Sequence, residues 1–373
     1  MRIKVKSGKH ERGFSPVTWR LEERLEKNSG EGILLDVESG GKYPFLWVTE
    51  KDKTVCTALL PYTLPEEEKI MEVIPEEKTE RVLVAEEKDG EVNIKIGDKL
   101  FTSFHYSETW VRPFLFPVYS PSGKLLVREL IENKPEAEHP HHRGIWVAHG
   151  DVNGVDNWSE MEGHGYQIVK EINVTSGTWW SRIIAVIDWT DNSKKKNLEE
   201  RRIITFFATS GVRFIDFEIT FSTENEVKLG DTKEAGILSV RVNPSINASA
   251  KGIMENSWGG INEEEIWGKR AHWCDYSGPV DGEWWGVSIF DHPQNPHHPT
   301  HWHARNYGLM TANHYGLSYY FGNDYPFRGD LIIKEGEKLT YRYRVYIHPG
   351  NACSGKVKER YIDYASPPVI EIM

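Results

Sequence analysis

Short runs in which apolar and polar residues alternate recur along most of the chain. The clearest runs are residues 81–85, 92–96, 182–189, 202–207, 213–221, 237–242, 285–290, 317–321 and 339–347. Because side chains alternate across an extended chain, each run places one face on a core and the other toward solvent. Helical periodicity is weak, and residues 16–27 and 65–73 are its best candidates. The pattern predicts an all-β fold, a large β-sandwich or barrel with turn residues between its strands.

The N-terminal quarter of the chain differs in composition from the rest. It contains one histidine, His10, whereas twelve of the fifteen histidines lie in residues 139–164 or 272–314. A turn-like sequence, Lys88-Asp89-Gly90, follows this region. We therefore predict a small N-terminal β unit at residues 1–90 and a catalytic β-sandwich at residues 91–373.

Charge and composition exclude several classes of protein. The net charge of −11 argues against a nucleic-acid partner, because proteins that bind phosphate backbones present a basic face. No window approaches the ~18 consecutive apolar residues of a membrane span, so no membrane partner is expected. The first residues lack the apolar stretch of a secretory signal, and three widely spaced cysteines suit reduced thiols. We expect a cytoplasmic protein, with a homo-oligomer left open.

The first histidine-rich segment, residues 139–154, reads HPHHRGIWVAHGDVNG. Its imidazoles can exchange protons near neutral pH, which makes His142 and His149 candidates for acid/base catalysis. The candidates for substrate binding in this segment are Arg143, Asp151 and Asn153. The alternative for any one histidine is that it only caps a loop, but so many titratable residues in one stretch rarely serve packing alone.

The second histidine-rich segment, residues 291–305, reads DHPQNPHHPTHWHAR. Its prolines favour an extended backbone, on which His301 and His303 share one face. His303 is a candidate acid/base residue, and His301 and Trp302 are candidates for substrate binding. The same spacing suits metal ligands, so zinc or manganese is possible, but no cysteine or histidine–glutamate helix motif supports a metal. The ligands of any metal stay unknown, and no other cofactor is expected.

A charged loop at residues 230–236 enters the run at 237–242. Loops that feed strands often aim carboxylates into a binding site. Glu234 is therefore a candidate for the carboxylate of an acid/base pair with a histidine, and Lys233 for stabilising an enolate oxygen. The alternative is an ordinary solvated turn.

Aromatic residues accompany these polar segments. They are Trp146, Trp158, Trp273, Trp284, Trp285, Trp302 and Tyr307. Flat rings beside charged groups suit a sugar or polyol, whose C–H faces stack on aromatics while its hydroxyls are hydrogen-bonded. Several of these rings are expected to belong to the core instead.

Residues 139–144 and 149–154 together resemble the signature of a family labelled "methane oxygenase PmoA-like". Three further stretches match, and the resemblance covers about residues 101–349: Arg112-Pro113-Phe114, Gly230-Asp231-Thr232-Lys233-Glu234, and Asp291-His292-Pro293 with Thr300-His301-Trp302-His303. Glu138 stands where the family pattern has an aspartate.

The resemblance implies a galactose-mutarotase-like β-supersandwich, in which a histidine and a glutamate work across a sugar-binding cleft. By this similarity His142, His149 and His303 would be the acid/base candidates and Glu234 their carboxylate partner. Members are associated with carbohydrate or polyol breakdown, and the chain also resembles diketo-inositol hydrolases of thermophile inositol catabolism.

These observations lead to one principal hypothesis and two alternatives. The principal hypothesis is a hydrolase that opens a cyclic keto-polyol. Water adds to one carbonyl of a 1,3-diketone, the ring C–C bond breaks, and the enolate is reprotonated to an acyclic keto acid. The alternatives are a sugar epimerase or mutarotase and a non-catalytic carbohydrate-binding protein. In each case the partner is a small polyol or sugar.

Overall fold

The computed structural model describes residues 1–21, 29–50, 53–75, 82–131 and 138–373, and most of these residues lie in β-strands. In chain order the strands are β1 Arg2–Lys6, β2 Pro16–Leu21, β3 Ser29–Asp36, β4 Lys42–Glu50, β5 Lys53–Leu59, β6 Glu68–Pro75, β7 Leu83–Lys88, β8 Glu91–Ile96, β9 Lys99–His105, β10 Phe114–Val118, β11 Ile145–His149, β12 Tyr166–Ser176, β13 Trp180–Thr190, β14 Lys196–Ala208, β15 Arg213–Ser222, β16 Val227–Leu229, β17 Ala235–Arg241, β18 Ile253–Asn256, β19 Trp273–Val280, β20 Glu283–Asp291, β21 Trp302–Arg305, β22 Leu309–Ala312, β23 Leu331–Ile333, β24 Lys338–Pro349 and β25 Val369–Ile372. The α-helices are α1 Asn262–Ile266, α2 Leu317–Phe321 and α3 Val357–Ala365.

Two eight-stranded sheets form the body of the protein. The sheet that we call the front sheet has the order β21-β22-β17-β11-β10-β9-β8-β7, and the back sheet has the order β12-β13-β14-β15-β24-β20-β19-β18. Their inner faces share one large apolar core. Phe101 of β9, for example, meets Phe206 of β14 edge to face, with ring centroids 6.2 Å apart. The predicted all-β fold, a large β-sandwich, is confirmed.

A third, seven-stranded sheet has the order β2-β5-β4-β3-β6-β1-β25, and we call it the N-terminal sheet. It has its own core, which includes Leu34, Phe45 and Met71. The last strand, β25, pairs with β1, so both ends of the chain lie in this sheet. Strand β7 belongs to the front sheet, and residues 88–90 connect it to β8. The division of the chain into units at residue 90 stays a prediction.

Eight of the nine alternating runs overlap strands, although the described residues form 25 strands. Strand β13, for example, buries Ile183, Ala185 and Ile187 between partly exposed neighbours. Three predicted elements are wrong within the described residues. Residues 16–21 and 68–73 form strands rather than helices, because neighbouring strands pair along them and override weak helical periodicity. Residues 317–321 form a helix rather than a strand. Residues 22–27 and residue 81, which also belonged to predicted elements, lie outside the described residues.

The N-terminal sheet and α3 cover the outer face of the back sheet. Leu46 of β4 packs in one cluster with Phe214 of β15, Phe290 of β20 and Val357 of α3. Polar contacts reinforce this interface, since the indole N–H of Trp180 donates to Glu31 at 2.7 Å. The outer face of the front sheet lies on the opposite side of the sandwich, and it carries the polar residues described next.

Candidate functional site

Four neighbouring strands of the front sheet place polar side chains in rows on its outer face. Trp146, Ser239, Thr311 and His303 are successive cross-strand partners from β11 to β21. Directly opposed residues of antiparallel strands point to the same face, and Thr311 accordingly donates a hydrogen bond to Ser239 at 3.2 Å. The next row contains Arg241, Leu309 and Arg305. One histidine and two arginines therefore share this face.

His303 has a defined tautomer. Its Nδ1 lies 2.7 Å from the carbonyl oxygen of Lys233, and a carbonyl can only accept, so Nδ1 carries the proton and donates it. Nε2 has no hydrogen-bond partner in the described part of the chain. Burial, together with a smaller contribution from the charge of Arg305, lowers the pKa of His303 to about 3. The ring is therefore neutral at physiological pH, with the lone pair of Nε2 available as an acceptor.

Glu234 and Lys233 lie beside this histidine at the entrance to β17. Their side chains are about two-fifths exposed and form an ion pair of 3.6 Å. Two hydrogen bonds fix the backbone at Lys233: its carbonyl accepts from His303 Nδ1, and it also accepts from the side-chain amide of Asn313 at 3.0 Å. Gly150 packs against this loop, and a Cβ atom there would lie 2.5 Å from the Glu234 carbonyl oxygen. The glycine of the first histidine-rich segment thus allows the Glu234 loop to approach β11.

Tyr307 connects Glu234 with the arginines. Burial raises the pKa of Tyr307, the charges of Arg241 and Arg305 lower it, and the charge of Glu234 raises it, so all three charges act on this hydroxyl. The guanidinium of Arg241 lies 4.4 Å from the centre of the Tyr307 ring. Arg305 also donates to Glu263 at 2.5 Å, which orients its side chain.

His142 belongs to the same side of the sandwich but is almost completely buried. Its ring stacks on Trp146, with centroids 5.2 Å apart, and on His139 at 4.7 Å. Its Nδ1 accepts a hydrogen bond of 3.1 Å from Arg241, so the proton of the neutral ring is on Nε2. Burial lowers the pKa of His142 well below its usual value, and neighbouring cations and histidines add to the effect. In this arrangement His142 supports Arg241.

Glu138 supplies a carboxylate to this region. It accepts from Arg241 at 2.7 Å, from Arg128 at 3.1 Å and from His139 at 2.7 Å. Burial would raise the pKa of Glu138, but these hydrogen bonds and charges outweigh it and lower the pKa. In the sequence, Glu138 was notable only as a departure from a family pattern, and Arg128, Arg241 and Arg305 were not among the candidate residues. A single arginine in the apolar run 237–242 was the available signal for Arg241.

The three candidates for substrate binding in the first segment make contacts within the protein. Arg143 forms two hydrogen bonds to the carboxylate of Glu160 and lies 5.1 Å from the ring centre of Trp110. The side chain of Asp151 accepts from the Gly154 amide at 2.7 Å. Asn153 exchanges hydrogen bonds of 2.8 and 2.9 Å with the backbone of Lys228. Contact of these residues with a substrate stays a prediction.

Two of the remaining candidates, His149 and Trp302, are separated from this face. His149 is completely buried, its Nε2 lies 3.1 Å from the Gly230 carbonyl, and its ring meets Tyr315 in the core between the sheets. Burial lowers the pKa of His149 to about 3. Trp302 is also in this core, and its indole N–H donates to the Ala271 carbonyl at 3.0 Å.

His301 packs beside Tyr320, with ring centroids 5.9 Å apart, and burial lowers its pKa to about 4. The structure therefore brings His142 and His303 to one side of the front sheet and leaves His149 on the other. His303 and Trp302 point to opposite faces because they are adjacent residues of one strand.

Among the described residues, no group of three or more histidine, cysteine, aspartate or glutamate side chains could hold a metal ion. The possible zinc or manganese stays a prediction. In the same described ranges, no helix is long and apolar enough to cross a membrane. Two surface cavities, one at the ends of β14 and β15 and one beside β9, are lined by other residues than those of the candidate site.

No curated protein matches the chain. Among solved structures, it is similar to an α-galactosidase from Geobacillus stearothermophilus, with a TM-score of 0.37 and 11% identity over 72% of this chain and 40% of that one. The chain thus spans less than half of that enzyme. A galactose mutarotase-like protein from Lactobacillus casei has a TM-score of 0.31 and 9% identity over 71% of this chain and 100% of that one. A second such protein, from Clostridium acetobutylicum, has a TM-score of 0.32 and 10% identity over 72% and 95%. At TM-scores this low, the likenesses carry no argument about activity.

The sequence profile of one family matches residues 91–362, which is most of the chain and contains every residue of the candidate site. The description of that family names no activity, and the match supports neither the PmoA-like label nor an inositol hydrolase. The chain belongs to the family of unknown function DUF6807.

Proposed function

We propose that the chain is an acid–base enzyme that opens a cyclic keto-polyol on the outer face of the front sheet. The observation that supports this most is His303, whose tautomer is set by the Lys233 carbonyl and whose Nε2 keeps a free lone pair. Glu234 directly follows Lys233 and forms an ion pair with it, and the charge of Arg305 acts on the His303 ring. An acceptor, a carboxylate and a cation in one place are the groups that addition of water to a ketone requires.

The proposed reaction divides the work between these residues. Glu234 takes a proton from water, and His303 Nε2 orients that water or a substrate hydroxyl by accepting a hydrogen bond. The oxygen of water forms a bond to one carbonyl carbon of a cyclic 1,3-diketone. The adjacent ring C–C bond then breaks and leaves a carboxylic acid and an enolate. Arg305 stabilises the enolate oxygen, and the proton held by Glu234 returns to carbon, so the net change is the addition of one water.

A polyol or sugar-type substrate is supported by the rings around the site. His139 stacks on Tyr307, with centroids 5.3 Å apart, and the guanidinium of Arg241 lies 4.4 Å from the centre of the same ring. Aromatic surfaces next to hydrogen-bonding groups suit a ring with apolar C–H bonds and several hydroxyls. A diketo-inositol is the substrate that fits both this description and the reaction.

The test is to incubate the purified protein with keto-inositols, including a diketo-inositol, and with keto-sugars while following product mass. Gain of one water supports the hydrolase. An unchanged mass with changed optical rotation would assign an epimerase or mutarotase instead. Binding without any conversion would leave a carbohydrate-binding protein.

Two variants test the assigned roles. His303→Asn keeps a donor for the Lys233 carbonyl and removes the Nε2 acceptor, and Glu234→Gln removes the proposed base. Each is expected to lower kcat about 10²–10⁴-fold, the usual contribution of a positioned acid or base. His10→Asn, in an exposed position of the N-terminal region, is the matched control and is expected to keep full activity. Full activity in both site variants would refute the mechanism.

A further inference from the structure

Two buried arginines share one exposed carboxylate beside the proposed catalytic residues. The side chains of Arg241 and Arg128 are 4% and 8% exposed, whereas that of Glu138 is 54% exposed. Glu138 accepts from Arg241 through both oxygens, at 2.7 and 3.1 Å, and from Arg128 at 3.1 Å. The cations are therefore part of the folded interior, and their counter-ion reaches them from the solvent side.

Within the described part of the chain, Glu138 is the one carboxylate that these two arginines contact. Arg128 donates to the backbone carbonyls of Glu138, His139 and His142 at 2.8, 2.5 and 3.0 Å. Arg241 donates to the neutral ring of His142. The pKa of Arg128 is lowered to about 10. Burial is the main cause, the charge of Arg241 adds to it, and the charge of Glu138 offsets part of the effect. The pair is thus short of negative charge.

The same region has more donors than acceptors. The Nε atoms of Arg128 and Arg241 and the Nε2 of His142 are buried and have no hydrogen-bond partner among the described residues. All three are N–H donors, because the Nδ1 of His142 already accepts from Arg241. Buried donors without acceptors are costly in free energy, and an additional anion nearby would reduce that cost.

This region adjoins the proposed catalytic residues. His139 stacks on Tyr307, and its charge is felt at His303, where it lowers the pKa. Arg241 lies 4.4 Å from the centre of the Tyr307 ring, and the charges of Arg305 and Glu234 act on the same tyrosine. A ligand bound by Arg241 would therefore lie next to the atoms that carry out the proposed reaction.

We propose that Arg241 and Arg128 form a recognition site for a delocalised oxyanion, in which the Glu138 carboxylate is the resident occupant that a ligand displaces. The ligand is a carboxylate or the ionised form of a cyclic 1,3-diketone. Both spread one negative charge over two oxygens and match the paired N–H donors of a guanidinium. This inference rests on the proposed function for its substrate class: the keto-acid product binds as its carboxylate, and a diketone that binds as its enolate takes up a proton at carbon from solvent before water adds to its carbonyl.

The experiment measures binding without turnover, by calorimetry on the full chain. The carboxylate probe is glucuronate, and its neutral counterpart is glucose. The diketone probe is 1,3-cyclohexanedione, which ionises, and its counterpart is 2,2-dimethyl-1,3-cyclohexanedione, which cannot form the enolate. Glu138→Gln removes the competing charge, so it is expected to bind each anion at least about tenfold more tightly than the unaltered protein. The two neutral compounds are expected to bind equally to both proteins.

Glu218→Gln is the matched control, because Glu218 forms a half-exposed pair of 2.9 Å with Arg342 on the back sheet. It should leave anion binding unchanged. If the Glu138→Gln variant binds only glucuronate more tightly, the ligand is a carboxylate. If it binds only 1,3-cyclohexanedione more tightly, the ligand is an enolate. Equal affinity of the Glu138→Gln variant and the unaltered protein for both anions would overturn the proposal. Failure of the keto-polyol screen would refute the enzyme assignment but not the anion site, because the readouts are independent.

Discussion

Glu138 and Glu160 are both bonded by two arginines on the same side of the sandwich, but their surroundings differ. The side chain of Glu138 is 54% exposed and that of Glu160 is 4% exposed. Glu160 bonds Arg143 through both oxygens and lies 3.1 Å from Arg112. Arg112 is buried, and it also donates hydrogen bonds to the backbone carbonyls of His141 and Trp158. The arginines are similar in the two places, and only the exposure of the carboxylate differs.

This difference separates a structural ion cluster from an exchangeable one. A carboxylate buried between two buried cations cannot leave without exposing both charges to a low-dielectric interior. A carboxylate that reaches in from solvent can be replaced by another anion at small cost. The pairing of arginine with glutamate is therefore uninformative about ligand binding by itself, and the exposure of the counter-ion is the useful observation.

The largest expected effect is on Glu160. Glu160→Gln leaves Arg112 and Arg143 without their shared counter-ion, and it should lower the free energy of unfolding by about 3–5 kcal/mol. Urea denaturation followed by tryptophan fluorescence would measure this. A Glu160→Gln variant as stable as the unaltered protein would remove the distinction between the two clusters.

Acid should act on the same cluster with a definite sign. Burial would raise the pKa of Glu160, but the charges of Arg112 and Arg143 outweigh it and lower the pKa. A carboxyl group with a lower pKa in the folded state stabilises the fold above its unfolded pKa of about 4.3, and this stabilisation is lost as pH falls through the folded pKa.

Between pH 5 and pH 3, the unaltered protein should therefore lose more stability than Glu160→Gln, by up to about 1.4 kcal/mol for each unit of the pKa shift. Urea titrations at a series of pH values would measure the difference. Parallel curves for the two proteins would contradict this assignment.

The smallest expected effect is on the exposed cluster. Glu138→Gln should lower the free energy of unfolding by about 1–2 kcal/mol, less than Glu160→Gln does, because water can reach the position of a carboxylate that is 54% exposed. The same variant is the one expected to bind anions more tightly. A loss of stability as large as that of Glu160→Gln would mean that Glu138 is a structural counter-ion and not a displaceable one.

The strands with strict alternation were predictable from local sequence, and some residues of the candidate site were proposed from their chemistry. Alternation in residues 182–189 and 213–221 predicted β13 and β15, because burial of one face is a property of each strand by itself. His303, Glu234 and Lys233 were found from their chemistry and lie together. Sequence spacing alone could not distinguish His149 and Trp302 from these residues, but both lie in the core between the sheets.

The residues that were missed depend on long-range pairing. Glu138 and Arg241 are more than a hundred positions apart and meet only because β11 pairs with β17. That pairing also contains a register irregularity between Trp146 and Ala148, next to His149. No local pattern reports which strand becomes a neighbour or where its register shifts.

The sequence by itself determined that this protein is a β-sandwich, because alternation is a local property of the chain, and from composition it predicted a site in two histidine-rich segments. Only the tertiary structure decided which histidine faces the core and which faces outward. It also decided that an exposed glutamate, Glu138, is the counter-ion that Arg128 and Arg241 share. The physical reason is that strand register and sheet neighbours are set by non-local hydrogen bonding and packing.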